Sequence, residues 1–93
     1  MKVLRSKKYI QSLKKIIEYI SKDSKQRALN FKSEIDNSIN DLVNMPLKFR
    51  QSIYFQDESV RDLTFKGYTI VYRVDTIKEI ITIIGIKKCQ DDL

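Results

Sequence analysis

Residues 60–88, VRDLTFKGYTIVYRVDTIKEIITIIGIKK, decide the fold of this chain, because they predict three consecutive strands joined by tight turns. The side chains of residues 68–74 alternate with period two, which is typical of a strand with two different faces. Lys66 and Gly67 precede this strand and suit a two-residue hairpin turn, since glycine accepts a positive φ. Residues 79–86 are rich in isoleucine and too short to span a membrane, which predicts a central strand covered on at least one face.

Two amphipathic helices are predicted upstream of these strands. Ser6 is the expected N-cap of the first helix, and Asp23 with Gln26 resembles a capping box that begins the second helix. Asn44 and Pro46 are expected to end the second helix. The buried stripe of the first helix is predicted to contain Tyr9, Ile10, Leu13, Ile16, Ile17 and Ile20. The stripe of the second helix is predicted to contain Ala28, Phe31, Ile35, Ile39 and Leu42, with Val43 beside it.

The order of these elements predicts an α+β fold, with a single domain at residues 1–93. A strand at residues 2–5 precedes the helices, and a short strand at residues 53–55 and a turn at residues 56–59 follow them. Because few residues separate the helices, they should form an antiparallel hairpin. We therefore expect an N-terminal strand and a two-helix hairpin that packs on one face of a small, mainly antiparallel twisted sheet.

The composition excludes several kinds of catalytic site. The chain contains no histidine, so it cannot form a Ser-His-Asp triad or a histidine-bearing zinc site. Its single cysteine, Cys89, cannot form an internal disulfide, and no histidine is present to activate it. No apolar signal segment follows Met1, and no window reaches the roughly 20 residues of a membrane span. We therefore expect a cytoplasmic protein without a cofactor, a metal site or a membrane contact.

The net charge of +6 is unevenly distributed along the chain. Residues 1–22 contain seven lysine or arginine residues and one glutamate, whereas residues 23–93 contain as many acids as cations. Long-range attraction to an acidic partner should therefore centre on the first strand and the first helix. The candidates for this attraction are Lys7, Lys8, Lys14 and Lys15.

Several features of the sequence together carry a family resemblance. They are the order of elements, Pro46 after the second helix, VRDL at residues 60–63, GYTIVYRV at residues 67–74 and IIGIKK at residues 83–88. This combination resembles the RelE/ParE superfamily of bacterial toxins over essentially the whole chain. The resemblance implies the toxin of a type II toxin–antitoxin module, neutralised by a cognate antitoxin, with DNA contact only indirectly through that antitoxin. The lysines of the first helix would then bind or attract the antitoxin.

The resemblance implies one of two activities. RelE-like members cleave mRNA on the ribosome with a set of lysine and arginine residues, often joined by a histidine or tyrosine near the C-terminus. ParE-like members instead poison DNA gyrase and lack that set. Here Thr69 follows Tyr68, where many ribonuclease members have an arginine, and the tail from Lys87 to Leu93 has neither histidine nor tyrosine. These departures favour a ParE-like toxin that binds gyrase rather than an enzyme.

Two alternatives stay open at this point. The first is a ribosome-dependent mRNA endonuclease, whose cationic groups would be Arg61, Lys66, Lys87 and Lys88. The second is a superfamily member that has lost its toxicity and survives as a partner-binding module. Nothing in the sequence separates this second alternative from a ParE-like toxin.

The candidates for contact with the target are Arg61, Arg73, Lys87 and Lys88. The guanidinium of Arg61 suits a phosphate or another target group, and the family pattern has an arginine before a leucine in this strand. A structural interpretation competes with this role, because Arg61 shares a strand face with Leu63 and Phe65. In that interpretation Arg61 bonds carbonyl groups or pairs with an acid at the edge of the sheet.

Structural interpretations also exist for the remaining candidates. Lys87 and Lys88 follow a hydrophobic strand, where a basic pair commonly keeps the strand soluble. Tyr68 and Tyr72 share a strand face and would stack a nucleic-acid base if that face were open. We expect them instead to bury their rings against the helices, with their hydroxyls at the rim.

Overall fold

Residues 1–89, which the computed structural model describes, form two α-helices and a four-stranded sheet. The elements are β1 (Lys2–Arg5), α1 (Lys7–Asp23), α2 (Lys25–Asn40), a 3₁₀ helix (Asp41–Val43), β2 (Val60–Phe65), β3 (Tyr68–Asp75) and β4 (Ile80–Lys88). The strand order is β1-β4-β3-β2, with β1 parallel to β4 and the other neighbours antiparallel. The predicted α+β fold is therefore confirmed, and β1 forms the one parallel pair of this sheet.

The first helix begins at the predicted residue. The Ser6 hydroxyl oxygen accepts a hydrogen bond from the Tyr9 backbone N–H at 3.1 Å, which satisfies one of the free donors at the helix start. The same hydroxyl donates to the Ile84 carbonyl oxygen at 2.8 Å. Ser6 thus caps α1 and also fixes its start against β4.

The second helix begins one residue later than predicted, so the expected capping box of Asp23 and Gln26 is wrong. Asp23 is the last residue of α1, and its carboxylate pairs with the Arg27 side chain at 2.9 Å. Ser24 lies between the helices in an extended conformation, and its hydroxyl oxygen accepts from the Arg27 N–H at 3.1 Å. The Ser24 N–H donates to the Ile20 carbonyl, so this one residue ends α1 and starts α2.

The core lies between the helix pair and one face of the sheet, which we call the helix face. Its buried members are Tyr9, Leu13, Phe31, Ile35, Ile39, Leu42, Leu63, Ile70, Tyr72, Val74, Ile81, Ile83 and Ile86. The expectation that Tyr68 and Tyr72 pack toward the helices is confirmed, since Tyr68 packs edge-on against Phe31. Two predicted stripe members are exposed, Ile10 by 53% and Val43 by 38%, because each lies at the solvent edge of its helical stripe.

The short strand predicted at residues 53–55 is wrong. The chain touches the edge of β2 only at residues 50–52, where the Ser52 N–H donates to the Val60 carbonyl and the Asp62 N–H donates to the Arg50 carbonyl. It then turns away, because the Asp62 carboxylate accepts from the Ile53 N–H and the Ser52 hydroxyl accepts from the next N–H. Such side-chain hydrogen bonds compete with strand pairing.

This turn carries residues 53–55 onto the face of the sheet opposite the helices. We call it the far face; it presents Thr64, Thr69, Val71 and Arg73. The register between β3 and β4 shifts between Val71 and Tyr72, because Val71 pairs with Gly85 and Tyr72 with Ile83, so Ile84 of β4 has no opposing residue on β3. Within residues 1–89 the far face is therefore partly covered by an irregular loop and not by a helix or strand.

The predicted hairpin at Lys66 and Gly67 is confirmed. The two residues have φ values of 45° and 82°, and Phe65 pairs with Tyr68 across the turn. These positive φ values are typical of a type I′ turn, which matches the twist of an antiparallel pair. The Cys89 N–H donates to the Gly67 carbonyl at 2.8 Å, so the end of β4 is tied to this turn.

Candidate functional site

An apolar groove runs between α1 and α2, and Arg5 of β1 also lines it. It encloses a volume of about 570 Å³. Its residues are Arg5, Tyr9, Ile10, Leu13, Lys14, Ile17, Glu18, Lys32, Asp36 and Asn40. The apolar members form one side of α1, and charged members of both helices form the rim. An amphipathic segment of another protein would match this arrangement, because its apolar side chains could fill the groove.

The rim of this groove is held by contacts between β1 and α2. The Arg5 guanidinium donates to the Asn40 side-chain oxygen at 3.2 Å and lies 3.9 Å from the Asp36 carboxylate. Lys32 also pairs with Asp36, at 2.7 Å. Burial raises the pKa of Tyr9 to about 12, with a further increase from the Asp36 carboxylate that the Arg5 charge opposes. Tyr9 is thus a neutral phenol at physiological pH.

The free edge of the sheet lies at β1, beside this groove. The Lys2 N–H donates to the carbonyl of Glu79, the residue before β4, and the Ser6 N–H donates to the carbonyl of Ile83 in β4. In a parallel pair alternate residues bond the neighbour, so the peptide groups of Val3 and Arg5 point away from the sheet. Within residues 1–89 no strand pairs with that side of β1, which leaves a template for an added strand.

A second concave site, the far-face cleft, lies at the opposite side of the molecule. It encloses about 350 Å³ and is lined by Arg50, Ile53, Tyr54, Thr64, Thr69, Lys87, Lys88 and Cys89. The Lys87 ammonium lies 4.1 Å from the centroid of the Tyr54 ring, within the range of a cation–π contact. Three cationic residues therefore border this cleft, and no carboxylate of residues 1–89 lines it.

The candidate target contacts do not form one cluster. Lys87 and Lys88 reach the far-face cleft, whereas Arg73 lies four positions beyond Thr69 on β3, about 13 Å away at the usual rise of a strand. The Arg61 guanidinium donates to the carbonyl oxygens of Glu58 at 2.8 Å and Phe49 at 3.1 Å. These two bonds favour the structural interpretation of Arg61.

Lys66 is also separate from the far-face cleft. Its ammonium lies 2.6 Å and 2.7 Å from the two carboxylate oxygens of Glu34 on α2. The four cations that an endonuclease would require are therefore divided among the β2–β3 turn, the edge of β2 and the far-face cleft.

Sequence reasoning missed Arg50 and Tyr54 as members of the far-face cleft. Both lie in the irregular segment between the 3₁₀ helix and β2, where no periodic pattern assigns a direction to a side chain. The only sequence signal was the acidic Asp62 in the middle of a predicted strand. A buried carboxylate of this kind requires donors, and here the donors come from this loop.

The four candidate lysines of α1 are all exposed, and none pairs with a carboxylate of residues 1–89. Lys14 lies at the rim of the groove between the helices. Lys8 instead lies beside Tyr54 and Phe55 at the far face. The positive charge of α1 therefore lies both at the groove and at the far face of the sheet.

Two negative findings hold for the described part of the chain. Neither α1 nor α2 is long and apolar enough to cross a membrane. No group of three or more histidine, cysteine or acidic residues is arranged within residues 1–89 to hold a metal ion.

Comparison with known families assigns the chain to a protein family. The family model described as the ParE toxin of the type II toxin–antitoxin system parDE matches residues 3–93. The chain belongs to the ParE toxin family. The resemblance found in the sequence is thereby confirmed, and this ParE family member is a toxin component of a type II toxin–antitoxin system. No match was found among curated proteins.

Two solved structures share the fold of this ParE family member. A chain from the chromosomal ParDE toxin–antitoxin system of P. aeruginosa is 19% identical with a TM-score of 0.77, and 97% of each chain is covered. The isolated E. coli RelE toxin is 11% identical with a TM-score of 0.68, covering 98% of this chain and 86% of that one. Both likenesses concern the fold, which is common to the ParE and RelE branches.

Proposed function

We propose that this ParE family toxin inhibits growth in the cytoplasm by binding and poisoning DNA gyrase, without catalysing a reaction itself. The observation that carries the proposal is the separation of the candidate ribonuclease cations. Arg61 is engaged with two carbonyl groups and Lys66 with Glu34, and neither lines the far-face cleft. Only Lys87 and Lys88 of the four are there.

Cleavage of a phosphodiester by attack of a ribose hydroxyl requires more than two cations. A group must take or orient the hydroxyl proton, and further donors must stabilise the charge that develops on the phosphate. The far-face cleft holds Tyr54 and Cys89 as its proton-exchanging groups besides the cations, and no carboxylate of residues 1–89 lines it. This arrangement supports a binding site rather than a catalytic one.

Two assays run in parallel test this proposal. Purified toxin is added to a gyrase supercoiling and cleavage-complex reaction, and to a translating-ribosome reaction that reports mRNA cleavage. Trapped gyrase–DNA breaks with intact mRNA are the expected result. Codon-phased mRNA cuts with unaffected gyrase would overturn the proposal and establish an endonuclease. No effect in either assay would establish a superfamily member without toxicity.

We also propose that the cognate antitoxin neutralises the toxin through the groove between α1 and α2 and the free edge of β1. The two features are continuous, because Arg5 belongs to β1 and also lines the groove. A helix of the antitoxin fits the groove, and an extended segment fits the edge. The exposed lysines of α1 favour an acidic partner segment.

A pair of charge substitutions tests this docking surface. Ile10 is half exposed and lines the groove, so Ile10→Glu should leave the fold intact and weaken antitoxin binding at least tenfold. Leu29→Glu is the matched control, because Leu29 is an exposed apolar residue of α2 outside the groove. Binding is measured by titration calorimetry with the cognate antitoxin. Equal effects of the two substitutions would contradict the proposed surface.

A further inference from the structure

We propose that the far-face cleft binds a single-stranded polynucleotide, with its phosphate backbone at Arg50 and Lys87 and a base stacked against Tyr54. This inference does not depend on the gyrase proposal, because it concerns the chemistry of the isolated toxin. It adds a direct nucleic-acid contact to the indirect one that the antitoxin would provide.

The cleft is built by a buried side chain and is not a chance meeting of surface lysines. The Asp62 side chain is fully buried, and one of its carboxylate oxygens accepts from the Ile53 N–H at 3.2 Å. The Ser52 hydroxyl accepts from the Tyr54 N–H at 3.1 Å. These two bonds fix the turn that carries the Tyr54 ring over the far face.

The same carboxylate orients a cation at the cleft. A guanidinium nitrogen of Arg50 lies 3.8 Å from Asp62, while most of its side chain remains exposed. Asp62 offsets part of one positive charge, and Arg50 and Lys87 together carry two; Lys88 pairs with Tyr68, so its side chain belongs to the helix face. The cleft therefore keeps an excess of positive charge that attracts a polyanion, with Arg50 able to form two parallel bonds to one phosphate.

The aromatic surface favours a single strand over a duplex. Tyr54 is 43% exposed and its neighbour Phe55 is 42% exposed. Proteins that bind single strands combine such rings with cations, because an unpaired base can stack on an aromatic ring while the cations follow the backbone. In a duplex the faces of the bases are stacked on one another and unavailable. The exposed Thr64 at the same cleft offers a hydroxyl donor for a phosphate oxygen.

The salt dependence of binding tests the phosphate contacts. We expect labelled oligo-dT to bind the purified toxin at low salt, measured by fluorescence anisotropy at a series of salt concentrations. Each phosphate contact contributes about 0.7 to the slope of log affinity against log salt for single strands. Lys87→Gln should therefore reduce the slope by about 0.7.

The matched control is Lys78→Gln, which removes the same charge from the β3–β4 turn at the other end of β4. Its slope should equal that of the unmodified toxin. Equal slopes for Lys87→Gln and Lys78→Gln would overturn the proposal, because they would indicate diffuse attraction to the whole chain. Absence of binding at about 50 mM salt would also overturn it.

The stacking contact has its own test. Tyr54→Phe keeps an aromatic ring and should retain the affinity for oligo-dT, whereas Tyr54→Leu should lose about tenfold or more. Equal affinities for these two variants would overturn the stacking. The affinities of the toxin for oligo-dT and for oligo-rU of equal length are compared. The oligonucleotide that binds more tightly identifies the natural strand as DNA or RNA. A tighter complex with a duplex of the same length would contradict the single-strand assignment.

Discussion

The Tyr72 hydroxyl donates a 2.7 Å hydrogen bond to the carbonyl oxygen of Pro46, across 26 residues of sequence. Tyr72 is fully buried at the centre of the helix face, and Pro46 lies in the irregular segment after the helices. This bond ties the start of that segment to the core. It also satisfies a phenol that would otherwise be buried without a partner.

Tyr72→Phe should lower the free energy of unfolding by about 1–2 kcal/mol, because the Pro46 carbonyl loses its donor. Tyr9→Phe is the matched control, since the Tyr9 hydroxyl is equally buried but has no partner within residues 1–89. That substitution should be neutral or slightly stabilising. Urea unfolding of both variants measures the difference, and equal losses would show that the bond to Pro46 contributes nothing.

Alkaline pH should destabilise the fold through the same two tyrosines. Burial raises the pKa of Tyr9 and of Tyr72 to about 12, whereas a tyrosine in the unfolded chain titrates near 10. Between these values the folded state keeps protons that the unfolded state has lost, so the free energy of unfolding falls as pH rises. The expected loss approaches about 3 kcal/mol for each tyrosine above pH ~12.

Unfolding at about pH 9 and about pH 11 measures this loss. The Tyr9→Phe and Tyr72→Phe double variant should lose much less stability over the same interval, because other alkaline groups are unchanged. An equal pH dependence in the double variant would assign the loss to the lysines instead.

Gly67→Ala should destabilise the toxin by about 1–2 kcal/mol for conformational reasons alone. Gly67 has a φ of 82°, which an L side chain adopts with strain, yet an added Cβ would meet no atom within 4 Å. Gly85→Ala is the control, because an added Cβ there also meets nothing within 4 Å and no positive φ is involved. It should be neutral in thermal unfolding, and a loss as large as that of Gly67→Ala would contradict the turn argument.

Arg61→Ala should reduce stability by about 1–3 kcal/mol, because the carbonyl groups of Glu58 and Phe49 lose a charged donor. We expect the toxicity of each folded molecule to stay unchanged. Growth inhibition is compared with the folded amount in the same cells. A loss of toxicity in fully folded Arg61→Ala protein would instead support the target contact predicted from the sequence.

Reversal of Lys8 and Lys15 to glutamate should slow antitoxin association about tenfold at low salt, because both lysines contribute to the positive field of α1. The difference should shrink at high salt, where charges are screened. Stopped-flow or surface-binding kinetics measure the on-rate. Reversal of Lys25 and Lys78 removes the same total charge elsewhere, and an equal slowing there would contradict steering by α1.

The sequence by itself determined the regular elements of this protein. Helical periodicity and the Ser6 cap defined α1, alternation defined β3, and Gly67 defined the hairpin, because each signal depends on residues that are neighbours along the chain. The positive charge of α1 could also be predicted from the sequence, because the lysines that carry it are close together along the chain. The boundary at Ser24 was missed by one residue, since Asp23 and Ser24 are both good caps and only the backbone geometry chooses between them.

Only the tertiary structure decided which side chains share a site. The sequence grouped Arg61, Lys66, Lys87 and Lys88 by charge. The folded chain separates the first two from the others, because Arg61 donates to carbonyl groups and Lys66 pairs with Glu34. Conversely, Arg50 joined Lys87 from an irregular loop. The path of that loop depends on hydrogen bonds to the buried Asp62, at least nine residues away. Local periodicity does not predict such long-range bonds, so the far-face cleft could be identified only from the tertiary structure.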